Sequence, residues 1–209
     1  MTSFDVYGCV CVCVCVCVYV RMYVYVCRFC HRSVLFRCVV VSKMDRQQEV
    51  INTLKFKKWA LMDIEYIQSS YTHKCIRKLY VLTGDGKWDM EVDFYPCVSY
   101  HSLPDKYQRS FQYCAKHIHK LSYRPKTLSH PCISALDVIR NFINEHDVEV
   151  VLYKGGTIER DICEKLLIES RNIEAINGLR KIHSHDPATE VNLYWDQLRE
   201  FTLNLFPEE

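Results

Sequence analysis

Residues 58–68, KWALMDIEYIQ, open the stretch that decides the fold of this chain. Two more strand-like runs follow, HKCIRKLYVLT at residues 73–83 and WDMEVDFY at residues 88–95, and the third alternates polar with apolar side chains. Gly84-Asp85-Gly86 is a tight-turn signal between the second and third runs. The stretch therefore predicts an antiparallel meander of three strands in which residues 58–68 lead.

The chain after the meander alternates between helical and strand patterns. Helices are predicted over 103–121 and 134–146, from Gly155-Gly156-Thr157 through Leu167, and from Asp186-Pro187 onward; strands are predicted over 148–153 and 172–176. The order βββ-α-α-β-α-β-α predicts an α/β fold. Its mixed sheet is expected to contain the meander and two further strands, flanked by helices.

Residues 1–43 are predicted to lie outside this fold. They contain CVCVCVCVCV at residues 9–18, which is the translation of a TG dinucleotide repeat. The apolar run has the length of a membrane anchor, but it lacks Leu, is interrupted by Arg21 and alternates with strand periodicity. We interpret it as a translated repeat rather than an anchor, and we expect a single domain over residues 44–209.

Composition and charge exclude several classes of protein. A chain of 209 residues with 49% apolar and 25% charged residues is not collagen-like, wholly disordered or multi-domain. Residues 1–43 hold eight of the 13 cysteines, so the remaining five predict reduced thiols in a cytoplasmic or nuclear protein rather than a disulfide scaffold. The same segment holds five of the 27 basic and one of the 25 acidic residues. Residues 44–209 therefore carry a net charge of −2, which excludes a globally basic nucleic-acid binder.

The most informative acidic residues are Asp63 and Glu65. Two residues spaced i, i+2 on a strand point to the same face, and this pair directly follows the apolar run of residues 59–62. Two carboxylates at the edge of a core repel each other and lose hydration, a cost that Mg²⁺ or Mn²⁺ would remove. The alternative is that only Ile64 faces inward and both acids are solvated.

Two later acids lie in the first turns of predicted helices. Glu159 follows the strand over residues 148–153, and Glu190 lies five residues after His185 at the start of the last helix. Each also has an ordinary interpretation, because an acid in the first turn interacts favourably with the helix dipole.

In this order along the chain, these residues resemble the motifs of the DEDD-type 3′–5′ exonucleases of the ribonuclease H-like fold. That family has Asp-x-Glu at the end of its first strand, which Asp63 and Glu65 match. Its His-Asn-x-x-x-Asp segment corresponds to Lys154, Gly155 and Glu159, and its His-x-x-x-x-Asp segment to His185 and Glu190. The resemblance covers roughly residues 57–205, with Glu in place of Asp at two positions.

The resemblance implies two-metal hydrolysis of phosphodiester bonds at a single-stranded 3′ end. Asp63, Glu65, Glu159 and Glu190 would hold Mg²⁺ or Mn²⁺, and His185 would act as general base on the attacking water. It also implies a nucleic-acid partner and a ribonuclease H-like fold over residues 44–209. No membrane partner is expected, and the sequence leaves open whether there is a small-molecule partner.

A basic strip is predicted on the helix over residues 103–121. Arg109, Tyr113, Lys116 and Lys120 fall on one side at helical spacing, which suits contact with phosphates and stacking on a base. An ordinary solvated helix face explains the same pattern.

Other patterns are compatible with a zinc site or a phosphate-binding loop. His73-x-Cys75, Cys114-x-x-His117-x-His119, His130-x-Cys132 and His183-x-His185 make a structural zinc conceivable, although no pair of CxxC motifs is present after residue 43. Gly155-Gly156 resembles part of a phosphate-binding loop, but the glycine pattern of such loops is incomplete and a tight strand-to-helix turn explains the pair better.

Three hypotheses about function therefore stay open. The first is a divergent metal-dependent 3′–5′ exonuclease, and the second is a catalytically inactive ribonuclease H-like domain that binds nucleic acid or a protein partner. The third is an α/β domain with no role on nucleic acid. They differ in whether the four acids meet closely enough to hold a metal ion.

Overall fold

The computed structural model describes residues 45–125, 129–182, 184 and 186–207. Glu49–Glu209 form one compact unit, and the described residues of the preceding unit, 45–48, are helical. The predicted repeat segment, residues 1–43, lies outside the described residues. Within the described residues, no helix combines the length and apolarity that crossing a membrane requires.

The architecture is α/β, with six strands and five α-helices within the described residues. The strands are β1 (Trp59–Gln68), β2 (Lys74–Thr83), β3 (Asp89–Tyr95), β4 (His130–Pro131), β5 (Val150–Tyr153) and β6 (Glu169–Asn172). The helices are α1 (residues 45–56), α2 (Asp105–His117), α3 (Ala135–Glu145), α4 (Ile158–Leu166) and α5 (Pro187–Leu205).

The six strands form one mixed sheet in the order β4-β3-β2-β1-β5-β6. β1, β2 and β3 are joined as an antiparallel meander, while β5 runs parallel to β1 and β6 runs parallel to β5. The predicted α/β class and the leading meander are therefore confirmed.

Two details of the predicted sheet are wrong. The short edge strand β4 was not predicted, because two residues are too few to show any periodicity. The last strand covers Glu169–Asn172 instead of residues 172–176. It ends there because the Asn172 side chain accepts a 2.8 Å hydrogen bond from the backbone N–H of Glu174 and caps a 3₁₀ turn over Ile173–Ala175.

The sheet buries apolar side chains on both faces. Met62 and Ile64 belong to one core with residues of α3 and α4, while Leu61 belongs to a second core with residues of α1 and α5. Strand alternation explains this division, because neighbouring residues of β1 point to opposite faces. β1 is therefore a central strand covered on both sides.

The parallel pairing of β1 with β5 decides where polar residues meet. The last paired residues are Met62 and Tyr153, so Asp63 and Lys154 follow at the same level, where β5 ends and β1 continues to Gln68. Helix α4 begins five residues after β5 ends. In sheets of this kind, side chains gather at the carboxyl ends of parallel strands.

Candidate acidic site at the middle of β1

Asp63 and Glu65 lie on one face of β1 and are both half-buried. Ile64 between them is buried in the core on the opposite face, with 5% of its surface exposed. Across the sheet, Asp63 pairs with Tyr80 and Glu65 pairs with Lys78. The alternative in which both acids are solvated is therefore wrong.

The pKa of Asp63 is raised to about 7, chiefly by burial and next by the charge of Glu190, while the N–H of Ile64 and the ammonium of Lys154 oppose the increase. Burial also raises the pKa of Glu65 to about 7, with added contributions from the charges of Asp63 and Glu190. Glu190 on α5 thus acts electrostatically on both acids of β1.

Glu159 in the first turn of α4 is the most buried of the four acids, with 3% of its surface exposed. Burial raises its pKa to about 7, and the charges of Asp63 and Glu65 add to the increase, while its own N–H and that of Ile64 lower it. Among the described residues, its Oε2 atom has no hydrogen-bond partner. A buried carboxylate oxygen without a partner is costly in free energy.

Gly156 leaves room for this carboxylate. A Cβ atom placed on Gly156 would lie 2.5 Å from Oε2 of Glu159, which is closer than two such atoms approach. Because Gly156, in the turn between β5 and α4, has no side chain, the carboxylate of Glu159 can lie directly against it. The sequence predicted a tight turn here but not this contact.

Glu190 in the first turn of α5 is paired with a cation from the chain itself. Lys154 Nζ donates to Glu190 Oε1 at 3.0 Å and to the backbone oxygen of Ile182 at 2.7 Å. The side chains of the two charged partners are 18% and 14% exposed, so water screens this pair poorly. Sequence reasoning placed Lys154 at a motif position but did not predict this ion pair.

The space between Asp63, Lys154 and Glu190 is small. A cavity of about 10 Å³ lies there, with Leu61, Met62, Val191 and Tyr194 also in its wall. That volume holds about one water molecule. Binding an ion to Glu190 therefore requires the Lys154 ammonium to move away.

A second lysine, on β2, forms ion pairs that link the start of α5 to the meander. Lys78 Nζ contacts Asp186 Oδ1 at 2.6 Å and Glu91 Oε1 at 2.7 Å. Asp186 also caps α5, since its Oδ2 accepts hydrogen bonds from the N–H and hydroxyl of Thr189. This fixes the start of the helix that carries Glu190.

Asp63 and Glu65 on β1 therefore interact electrostatically with both other predicted acids, Glu159 on α4 and Glu190 on α5. Within the described parts of the chain, however, no three of their oxygens lie within 4.8 Å of one another; only His73, Cys75 and Cys97 meet that limit. The predicted general base, His185, lies outside the described residues.

The chemistry of the donor set, though not its present spacing, suits a divalent cation of the Mg²⁺ or Mn²⁺ type. Carboxylate oxygens are the ligands that such hard cations prefer, and Glu159 offers a buried oxygen that has no hydrogen-bond partner among the described residues. Burial is the main cause of the raised pKa values of Asp63, Glu65 and Glu159, and the repulsion between their charges adds to it.

The predicted basic strip is present in part on α2. Arg109, Tyr113 and Lys116 are all exposed on this helix, and Tyr113 is 61% exposed with its ring 4.9 Å from that of His117. Lys120 is not on the helix, because α2 ends at His117 and Lys120 has a φ of 53°. The helical spacing used to predict Lys120 therefore does not apply.

Helix α2 lies next to the acidic residues. Burial raises the pKa of the Cys114 thiol, and the charge of Glu65 contributes to the increase.

The predicted Cys114–His117 zinc pair is not part of the trio of potential ligands in the described residues. That trio includes Cys97, which sequence reasoning missed because no short motif links it to the others.

Comparisons with protein-family models and with curated proteins found no match for this chain.

Proposed function

We propose that this domain is a divergent, metal-dependent 3′–5′ exonuclease of the ribonuclease H-like fold. The observation that carries the proposal is that Asp63 and Glu65, both partly buried on β1, interact electrostatically with Glu190 on α5 and with Glu159 on α4. A protein that gathers such charges from distant parts of its chain needs a cation or protons to balance them.

The sheet supports this proposal. An antiparallel meander beside two parallel strands is the arrangement that the resemblance requires, and β1 carries the Asp-x-Glu pair at its centre. The exposed Arg109, Tyr113 and Lys116 on α2 provide a surface for a single strand close to Glu65. A nucleic-acid 3′ end is therefore the substrate that we propose.

In this proposal Asp63, Glu65 and Glu159 hold the metal ions, and Glu190 joins them when Lys154 releases it. Mg²⁺ or Mn²⁺ would supply a more acidic water and stabilise the charge on the leaving 3′ oxygen. The chain itself provides negative charge in a buried setting, which strengthens its attraction for cations. His185 would accept the proton of the attacking water.

One observation favours a second candidate, a catalytically inactive domain of the same fold that binds nucleic acid or a protein partner. Lys154 Nζ lies 3.0 Å from Glu190 and supplies positive charge beside Asp63 without any metal. In this candidate, the lysine ammonium takes the place of a metal ion permanently. It would keep the fold intact after catalysis was lost.

The direct test is digestion of a single-stranded oligonucleotide labelled at its 3′ end, in the presence of Mn²⁺. We expect the purified protein to release the label, and Asp63→Asn to abolish release because the variant removes a central charged ligand. Asp137→Asn is a matched control, since Asp137 is exposed and pairs only with Arg140 among the described residues. Intact substrate with wild-type protein across Mg²⁺, Mn²⁺ and Co²⁺ would reject the exonuclease.

Lys154→Met separates the two candidates. If Lys154 replaces the metal, the wild-type protein shows no shift of its unfolding temperature with Mn²⁺. The variant is then destabilised by about 2 kcal/mol and rescued by Mn²⁺, because a half-buried Glu190 has lost its partner. An active exonuclease instead shows a Mn²⁺ shift in the wild-type protein. Lys58→Met, which removes an exposed pair with Asp147, is the control and should change little.

A further inference from the structure

A cluster of sulfur and imidazole ligands lies apart from the four acids. His73 precedes β2, Cys75 lies on β2 and Cys97 follows β3 by two residues. Their potential ligand atoms all lie within 4.8 Å of one another. Cys75 is buried, with 1% of its surface exposed, whereas His73 and Cys97 are exposed.

The distances within this cluster are within about 0.4 Å of those between ligands around one tetrahedral zinc ion. Cys75 Sγ lies 3.4 Å from Cys97 Sγ and 3.7 Å from His73 Nδ1. Zinc bonds of about 2.3 Å to sulfur and about 2.0 Å to nitrogen, at tetrahedral angles, place two sulfurs about 3.8 Å apart and a sulfur and a nitrogen about 3.5 Å apart. A disulfide would require a separation of about 2.0 Å.

Cys132 is the candidate for a fourth ligand, although it lies outside the trio whose ligand atoms are within 4.8 Å of one another. It lies in the 3₁₀ turn that directly follows β4, and burial together with the neighbouring Cys97 and Cys75 raises the pKa of its thiol. The short strand β4 explains this neighbourhood, because Tyr95 pairs with Pro131 and the chain then continues to Cys97 on one side and to Cys132 on the other. A two-residue strand thus has a specific consequence, which is to bring a third thiol to the cluster.

The surroundings hold these loops in place and leave the cluster open to solvent. Tyr123 donates a 2.8 Å hydrogen bond to the backbone oxygen of Val98, and buried Arg77 donates to the backbone oxygens of Ser122 and Phe94. A cavity of about 520 Å³ lies beside Cys97, with Tyr123 and Arg124 also in its wall. An ion can therefore reach Cys97 from solvent.

We propose that His73, Cys75, Cys97 and Cys132 form a structural zinc site that joins the ends of β2, β3 and β4. Three thiolates and one imidazole make a closed ligand set, which leaves no position for a substrate. Soft thiolate ligands also separate this site from the acidic one, whose oxygen ligands favour Mg²⁺ or Mn²⁺. Binding releases thiol protons, since zinc binds thiolates.

The test measures zinc in the full chain, purified with a reducing agent and without chelator. Eight cysteines lie before residue 44, so the result is the difference between variants rather than the total metal content. We expect Cys97→Ser and Cys132→Ser each to lower bound zinc by about one equivalent per chain. Cys114→Ser, which removes a thiol outside the cluster, should leave the content unchanged.

Affinity and stability provide the second readout. In a Co²⁺ titration, the absorption of a tetrahedral thiolate complex should need on the order of 100-fold more Co²⁺ to saturate in Cys97→Ser. A chelator should lower the unfolding temperature of Cys114→Ser and not that of Cys97→Ser. Because Cys97 is exposed, its replacement by serine leaves no hole in the core.

Three results would overturn the zinc site. They are equal zinc content in Cys97→Ser and wild-type protein, loss of zinc in Cys114→Ser, and a Cys75–Cys97 disulfide found by mass spectrometry of the reduced preparation.

Discussion

Glu159 has an unusual environment for a carboxylate. It is 3% exposed, its pKa is raised to about 7, and among the described residues one of its oxygens has no hydrogen-bond partner. Such a group lowers the stability of the metal-free protein and favours binding of a cation. Replacing it should therefore affect stability and metal binding in opposite directions.

We expect Glu159→Gln to raise the free energy of unfolding of the metal-free protein by about 2 kcal/mol above pH 7, because it removes a buried charge and keeps the shape of the side chain. The same variant should lose most of the increase in unfolding temperature that Mn²⁺ causes. Both quantities are measured by thermal denaturation with and without Mn²⁺.

The control for this prediction is Glu164→Gln on the same helix. Glu164 is exposed and lies 3.7 Å from Arg160, so its replacement should change stability by less than about 0.5 kcal/mol and leave the Mn²⁺ effect intact. A destabilised Glu159→Gln with normal Mn²⁺ binding would contradict a role for Glu159 as a metal ligand.

Asp63 and Glu65 were found from their spacing, since the two-residue period of a strand puts them on one face whatever surrounds it. Lys154 shows where that reasoning stops. Its contact with Glu190 joins residues that are 36 positions apart, and no periodicity predicts such a pair. The partner of a charged residue depends on which elements pack together.

Helix α2 carries the proposed contact surface for a single strand. Arg109 and Lys116 are seven residues apart, close to two helical turns, and both are exposed with Tyr113 between them. The electrostatic part of binding to a single strand depends on the number of phosphates that such residues neutralise.

We expect Arg109→Glu combined with Lys116→Glu to weaken binding of a single-stranded oligonucleotide. The plot of the logarithm of affinity against the logarithm of salt concentration should become less steep by about 1.4, since each lost phosphate contact contributes about 0.7. Fluorescence anisotropy over a range of salt concentrations measures both effects.

Lys87→Glu combined with Lys165→Glu reverses two exposed lysines outside α2 and provides the control. An equal loss of slope in the control pair would show that net charge, rather than the strip on α2, determines binding.

Boundaries of elements were predicted within a few residues where a local signal marks them. Asp186 caps α5 and Pro187 is its first residue, as the Asp-Pro pair predicted. Helix α1, over residues 45–56, was not predicted, although Val50 and Leu54 are buried in the second core. Strand β4 was missed for a different reason, because its two residues are held only by pairing with β3.

The free energy of unfolding of the whole domain should depend on pH because of its buried acids. The folded-state pKa values of Asp63, Glu65 and Glu159 are about 7, above their ordinary values of 3.8 and 4.5. Between these limits the folded protein binds more protons than the unfolded chain, so the free energy of unfolding decreases as pH rises.

We therefore expect the metal-free protein to have a lower unfolding temperature at about pH 8 than at about pH 5.5. Mn²⁺ should remove much of this difference, because it stabilises the charged carboxylates that protons neutralise at low pH. Differential scanning calorimetry of the two forms provides the measurement. If the unfolding temperature of the metal-free protein were instead higher at about pH 8 than at about pH 5.5, that would contradict the burial of these three acids.

The amino-acid sequence was sufficient to predict the α/β class, the meander and the face that Asp63 and Glu65 share. These features follow from short-range patterns, namely strand alternation, a glycine turn and helix capping, which act between residues close in the chain. The tertiary structure alone revealed that Lys154 pairs with Glu190, that Glu159 is buried against Gly156, and that Cys97 and Cys132 lie beside Cys75. These contacts depend on the order of strands in the sheet, and that order brings distant residues together by packing that no local pattern encodes.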